Sequence, residues 1–282
     1  MPNSTSNVFS IDVEDWFHIL DSDAAPARSS WSDMENRVEH NTAIFLDMLQ
    51  SRNIQATFFI LGWIADKYPH LVRTIAEAGH EIASHGNAHG LVYKQQPEEF
   101  RQDLRDASNA IEAACGIRPQ GYRAPGFSIT KQTPWALDIL AEEGYRYDSS
   151  IFPATRGHGG IPGSHPLPSR LPNGMLEFPI TTRLLKVGRV SYLGGGYLRL
   201  LPQWLIMNLA KTHQKQDVPL ILYIHPRDLD PAQPRLSLGA RRNFKSYVGL
   251  ANCQRKLEAL LDNFSWTTFQ QCVDDFEARE TS

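Results

Sequence analysis

Three short polar clusters, each behind an apolar run, hold the residues of this sequence with chemistry to offer. Asp12, Glu14 and Asp15 place three carboxylates within four positions at the end of the run that starts at Val8. Like charges so close persist only when solvated, protonated or shared by a cation. His85 and His89 stand four positions apart in SHGNAH, a spacing that brings both imidazoles to one ion if the chain makes a helical turn there. His225 ends the apolar run ILYI. One carboxylate and two histidines are a frequent set for catalytic zinc, with a coordination position left open. A spare carboxylate and a third histidine would then stand ready as base and acid. Singly, each cluster has a plainer reading: a solvated acidic loop, a chance pair among ten histidines, a hydrogen-bonded structural histidine.

The elements around these clusters must present them together. Val8–Val13 reads as a buried strand, Ala56–Leu61 as a second and HEIASHG as a third. Between them the spacing predicts a helix starting near Asn41 and Thr42, with Ile44, Phe45, Met48 and Leu49 on its apolar face. A second helix starts at Pro69 and closes at Gly79, and a third covers Pro97–Ala114. A helix over Pro134–Gly144, a strand at Tyr145–Tyr147, a helix near Gln203–Lys215, the strand Pro219–Ile224 and a last helix around Val248–Leu261 follow. This rhythm argues for a parallel sheet or barrel, whose strand ends carry the sites of α/β enzymes. Residues 154–200, rich in glycine and proline, read as an ordered excursion over the barrel mouth.

Composition sets outer limits. A chain of 282 residues with 41% hydrophobic content can bury a large core and is not disordered. A net charge of −3 gives no electrostatic footprint for nucleic acid. Cys115, Cys253 and Cys272 are widely separated, without a CxxC pair, and suggest neither disulfides nor a thiolate zinc site. The first residues lack the basic-then-apolar pattern of a secretory leader, and the apolar runs fall short of the ~20 residues of a membrane span. The expected location is therefore cytoplasmic, or peripheral to the inner membrane.

Taken in order, the clusters resemble the motifs of the polysaccharide deacetylase (NodB-homology, carbohydrate esterase family four) superfamily. Asp12 and its neighbouring acids resemble the first motif, SHGNAH the His-x-x-x-His metal motif, and Tyr122-Arg123-Ala124-Pro125 the Arg-x-Pro motif. Asp148 in YDSS resembles the fourth motif and YIH ending at His225 the fifth. FSIDVEDWFH, LGGGYLRLLP and HPRDLDPAQPR are similar to the branch found with exosortase-linked exopolysaccharide loci, which carries an additional C-terminal segment.

The resemblance implies an α/β fold, a distorted (β/α)7-type barrel over 1–229 with an insertion at about 154–200, and a helical extension over 230–282 packed on the same domain. It implies a metal-dependent N-deacetylase acting on an N-acetylated sugar polymer, oligomer or lipid-linked precursor. His85 and His89 become metal ligands, for zinc first and for Co2+, Ni2+ or Fe2+ as alternatives. Asp12 becomes the base, held by two hydrogen bonds from Arg123, and His225 the acid, oriented by Asp148. The third ligand stays open. The family has adjacent acids where Val13 intervenes; strand alternation favours Glu14, whereas a turn at Val13 brings in Asp15. Gly126 follows Pro125 where the family often has an aromatic residue, so its backbone N–H is expected to meet the oxyanion while Phe127 packs.

Trp16 and Tyr197, with Phe17 and Tyr192 weighed beside them, are candidates for stacking on sugar rings. Gly194–Gly196 lacks the GK[ST] ending of a phosphate loop and reads as a tight turn or a close approach. Arg241 and Arg242 read as a solvated pair, or as a contact for a substrate phosphate or carrier lipid. Two other functions fit the same residues: hydrolysis of a cyclic amide or ureide, and carbohydrate binding without turnover. The sequence leaves the oligomeric state open.

Overall fold

Strand β1 (Asn7–Val13) is buried at every position and lies between β10 and β2 in the sheet. Its alternation divides the molecule: Phe9, Ile11 and Val13 enter the outer core beneath the helices, whereas Val8 joins the inner cluster and Ser10 and Asp12 face Arg123. The computed structural model describes residues 6–185, 188–216 and 218–280. The further strands are β2 (Thr57–Ile60), β3 (Glu81–Ser84), β4 (Gly121–Tyr122), β5 (Tyr147–Asp148), β6 (Ser169–Arg170), β7 (Leu176–Glu177), β8 (Thr182–Leu185), β9 (Gly188–Ser191), β10 (Ile221–Ile224) and β11 (Trp266–Thr267). Strands run in the order β10-β1-β2-β3-β4-β5-β7-β6, parallel except for the last pair. The result is a curled half-barrel whose carboxyl ends share one rim.

Ten helices surround it among the described residues: α1 (Val38–Gln50), α2 (Gly62–Lys67), α3 (Pro69–Glu77), α4 (Pro97–Cys115), α5 (Trp135–Glu142), α6 (Gly195–Leu200), α7 (Gln203–Gln214), α8 (Ala240–Tyr247), α9 (Cys253–Asn263) and α10 (Phe269–Glu280). Local signals explain α4: Pro97 opens it, Gln96 and Glu99 form a capping box, and Gly116 closes it in the left-handed conformation. Helix α1 begins earlier than Asn41 because its cap is tertiary. Asp15 Oδ2 accepts the N–H groups of Arg37 and Val38, both at 3.0 Å.

The segment 154–200 is only partly an excursion. Its β7 pairs in parallel with β5 and extends the half-barrel, while β8 and β9 form a separate hairpin. Nor does the C-terminal segment simply pack outside. β11 pairs with β1, and Phe269 at the start of α10 enters the inner cluster against Phe59 and Tyr147. The helix expected around Val248 starts at Cys253, because Val248 is extended and Gly249, in the left-handed region, approaches the carbonyl of Arg199 too closely for any Cβ. All three cysteines are free.

Candidate active site

Parallel pairing carries the polar residues to one rim. Glu14 follows β1, His85 follows β3, Arg123 follows β4 and His225 follows β10. Glu14 Oε1 lies 3.0 Å from Nε2 of His85 and 2.8 Å from Nε2 of His89. Nδ1 of His85 faces the Arg123 carbonyl at 2.7 Å, and a carbonyl only accepts, so Nδ1 carries the proton. His85 Nε2 is thereby left to face the Glu14 carboxylate oxygen, and the three potential ligand atoms of Glu14, His85 and His89 lie within 4.8 Å of one another. Two imidazole nitrogens, one carboxylate oxygen and a carbonyl fixing the tautomer fit a divalent metal.

The loop between the histidines is not a helical turn. Gly86 and His89 both take positive φ, +74° and +53°. Asp103 on α4 holds the loop by accepting the N–H groups of Asn87 at 2.8 Å and Ala88 at 3.1 Å. Of the two acids left open above, Glu14 is the one beside the histidines. Asp15 points away, with its oxygens accepting N–H groups of Trp16, Arg37 and Val38. Burial, partly offset by those N–H groups, pushes the Asp15 carboxyl up. Burial alone would do the same to Glu14, but His89, His225 and His85 hold it well below the usual carboxylate range.

Asp12 Oδ1 receives NH1 of Arg123 at 2.6 Å. The expected two-bond clamp is absent. Arg123 NH1 also donates to Ser10 Oγ at 2.9 Å, NH2 to Ser149 Oγ at 3.1 Å, and the guanidinium lies 4.1 Å over the Phe59 ring. Asp12 Oδ2 faces His225 Nε2 at 3.9 Å, and Glu14 Oε1 is 4.0 Å from the same nitrogen. The rim thus brings a carboxylate, an imidazole and the three donor atoms around one small space.

His225 is oriented by Asp228, not Asp148. Its Nδ1 lies 2.9 Å from Asp228 Oδ2, which also accepts the His225 backbone N–H at 3.0 Å. Arg199 Nε stands 2.8 Å from Asp228 Oδ1. Arg199 in turn donates to the carbonyls of Lys245, Ser246 and Val248 at the end of α8. Against a burial that favours the neutral acid, Arg199 and His225 hold Asp228 far below the usual carboxylate range. Burial would lower His225, but Glu14 and Asp228 outweigh it and raise the imidazole above its ordinary value. Asp148 is instead buried across the β5–β7 pair from Glu177 and accepts from Ser150. The Gly194–Gly196 run serves close approach: a Cβ on Gly195 would lie 1.8 Å from Asp228 and one on Gly194 2.4 Å from the Tyr223 ring.

The stacking candidates separate. Tyr197 lines a cleft of about 490 Å³ that opens at His225. Trp16 is buried, donates Nε1 to the Glu35 carbonyl at 2.9 Å and packs with Phe17 and Trp31. Phe17 and Tyr192 are buried too, Tyr192 with its hydroxyl on His213. Pro125 is buried, and Gly126 at φ +64° is wedged between Leu20, Leu91 and His158. Sequence reasoning missed Asp228, Arg199 and Asp103. It also missed His18, whose ring stands 5.7 Å from that of His89 inside an aromatic wall of Trp31 and Trp63. The i, i+3 spacing of HPRD was the one available signal for Asp228.

The curled, mainly parallel half-barrel thus carries these groups on its carboxyl rim. Residues 24–147 match the polysaccharide deacetylase family, and residues 149–274 match a domain of unknown function, DUF3473. The chain thus carries a polysaccharide deacetylase domain in its first half, followed by DUF3473. It is 34% identical over 98 residues to a peptidoglycan-N-acetylglucosamine deacetylase of Bacillus cereus, covering 34% of this chain and 36% of that protein. It is 35% identical over 97 residues to a chitooligosaccharide deacetylase of Bradyrhizobium sp., covering 34% and 42%. The similarity thus spans less than half the length of these relatives. In fold, the chain is similar to a Mycobacterium smegmatis protein described as a candidate polysaccharide deacetylase, with a TM-score of 0.68, 21% identity and coverage of 99% and 93%. It is also similar to Puue allantoinase, with a TM-score of 0.64, 17% identity and coverage of 99% and 92%. No helix among the described residues is long and apolar enough to cross a membrane.

Proposed function

We propose that this chain is a metal-dependent hydrolase that removes N-acetyl groups from amino sugars of a polysaccharide, an oligosaccharide or a lipid-linked precursor. One observation carries the reading: the Glu14, His85 and His89 donor atoms, the Arg123-held Asp12 and the Asp228-held His225 lie around one space. Glu14, His85 and His89 would hold a divalent cation, zinc first, with Co2+, Ni2+ or Fe2+ accepted by the same donors. When bound, that cation would polarise the acetyl carbonyl and lower the pKa of a water.

Asp12 Oδ2 takes the proton of the attacking water, while Arg123 holds and aims the carboxylate through Oδ1. His225 Nε2 delivers a proton to the departing amine nitrogen, with its ring orientation fixed by Asp228 at Nδ1. The Gly126 N–H is the backbone candidate for the oxyanion, and Tyr197 is the aromatic placed to meet a sugar ring. A carbohydrate-binding protein would need neither a held base nor a held acid. A ureide hydrolase would open a ring rather than release acetate.

The test is acetate release from N-acetylglucosamine oligomers by protein loaded with Zn2+ or Co2+. Wild type should release acetate, and Asp12→Asn and His225→Ala should lose at least about a hundredfold in kcat. Full activity in both variants, or ring opening without acetate release, overturns the reading.

A further inference from the structure

The cleft at His225 is more basic than a neutral sugar requires. Arg156, Arg227 and Lys245 all line it. Arg156 is held in place: NH1 donates to the Tyr223 hydroxyl at 3.0 Å, and the guanidinium lies 4.7 Å and 4.8 Å from the ring centres of Phe127 and Phe152. Arg227 donates to the Trp16 carbonyl at 3.5 Å.

The nearby acids are already engaged. Asp228 pairs with Arg199 and His225, Asp12 with Arg123, and Asp21 with Lys94 and His158. Among the described residues none of these ion pairs reaches Arg156, Arg227 or Lys245. The deacetylase reading also removes the remaining balance, because a cation between Glu14, His85 and His89 would neutralise the carboxylates that face the cleft. Arg156, Arg199, Arg227 and Lys245 then face one carboxylate, Asp228, among the residues that line the cleft, in a chain of net charge −3, and such a cleft concentrates field for an anion. A guanidinium pinned against two rings offers its remaining N–H groups in the planar fork that suits carboxylate and phosphate.

We propose that this cleft binds an anionic group, a carboxylate or a phosphate, carried by the glycan beside the N-acetyl sugar presented to Asp12 and His225. The inference rests on the deacetylase reading and names its substrate class: an acidic glycan or a sugar phosphate rather than a neutral N-acetylglucosamine polymer.

Three probes separate the cases: a neutral N-acetylglucosamine trimer, an oligomer alternating N-acetylglucosamine with glucuronate, and N-acetylglucosamine 1-phosphate. At low ionic strength at least one charged probe should exceed the neutral trimer in kcat/KM by about tenfold, and the preference should shrink as salt rises. Preference for the uronate oligomer assigns the anion to the polymer, and preference for the 1-phosphate assigns it to a precursor. Arg227→Gln with Lys245→Gln should cut the charged-to-neutral ratio about tenfold. A neutral trimer that matches or beats both charged probes overturns the inference while leaving the deacetylase reading intact. Acetate release from none of the three counts against the deacetylase reading. Calorimetric binding of inorganic pyrophosphate and of glucuronate then decides the anion site alone. Binding to wild type that weakens in the folded double variant supports it; no binding, or equal binding to both proteins, overturns it.

Discussion

Replacing Arg199 by methionine removes the charge that balances Asp228 inside the protein. Both side chains are buried, at 4% and 2% exposure, and the ion pair spans 2.8 Å. Taking away one partner of a buried pair leaves the other charge without compensation, at a cost of about 3–5 kcal/mol. Part of that cost is the packing and the three carbonyls of Lys245, Ser246 and Val248, which lose their donor whatever happens at Asp228. Asp228→Asn removes the charge while keeping the shape. In that background Arg199→Met should cost about 2 kcal/mol less, the coupling expected of neighbours in one network. Urea unfolding of the four proteins measures the cycle. In parallel, Asp228→Asn should lower kcat for acetate release about a hundredfold with KM little changed, because His225 loses its orienting carboxylate. Metal content should stay at the wild-type level, since Glu14, His85 and His89 are untouched. Equal cost of Arg199→Met in both backgrounds, or wild-type kcat in Asp228→Asn, would falsify the view that Arg199 and Asp228 aim the acid.

Glu14→Gln should abolish stoichiometric zinc binding and the rise in Tm that zinc gives wild type, whereas Asp15→Ala should keep both. The Asp15 variant should instead lose about 1–3 kcal/mol in urea unfolding, because α1 loses its tertiary cap; zinc loss in Asp15→Ala alone would reverse the assignment. Burial, and then the Asp148 carboxylate, hold Glu177 well above the usual carboxylate range. The folded chain therefore keeps a proton that the unfolded chain releases. This contribution is full below the ordinary glutamate value and is lost as pH rises towards the folded one, by about 1.4 kcal/mol per pH unit. Glu177→Gln should flatten stability as pH rises above the ordinary glutamate value, and slopes equal to wild type would contradict the shared burial. Asp103→Ala should free the loop that holds His89 at positive φ and weaken zinc affinity about tenfold or more; unchanged affinity in calorimetry would show that the loop holds its shape without it.

Much of the fold was legible because its signals are local. The largely apolar, buried strands at Val8, Thr57 and Ile221, the capping box of α4 and the Pro69–Gly79 bounds of α3 each depend on residues a few positions apart. The parts that read differently depend on distant partners. Helix α1 starts at Val38 because Asp15 caps it from across the chain, and α9 starts late because Gly249 meets Arg199. The two-residue strand β7 has no periodicity to detect, yet it extends the half-barrel beyond β5.

Residue type and position behind apolar runs were enough to nominate Asp12, His85, His89 and His225, and the family resemblance added Arg123; a parallel sheet sends its strand ends to one rim. Alternation along β1 even favoured Glu14 as the partner of Asp12. What sequence left open were the contacts made between those ends. Which acid turns to the histidines, which carboxylate meets His225, and where Arg123 spends its hydrogen bonds are settled by how β1, β4, β10 and the end of α8 pack. Asp228 lies three positions from His225, and its buried charge is balanced by Arg199, which carbonyls of the C-terminal segment hold in place. Strand ends are a property of local pattern; the pairing of buried charges is a property of the assembled interior, where an uncompensated charge is too costly to leave alone.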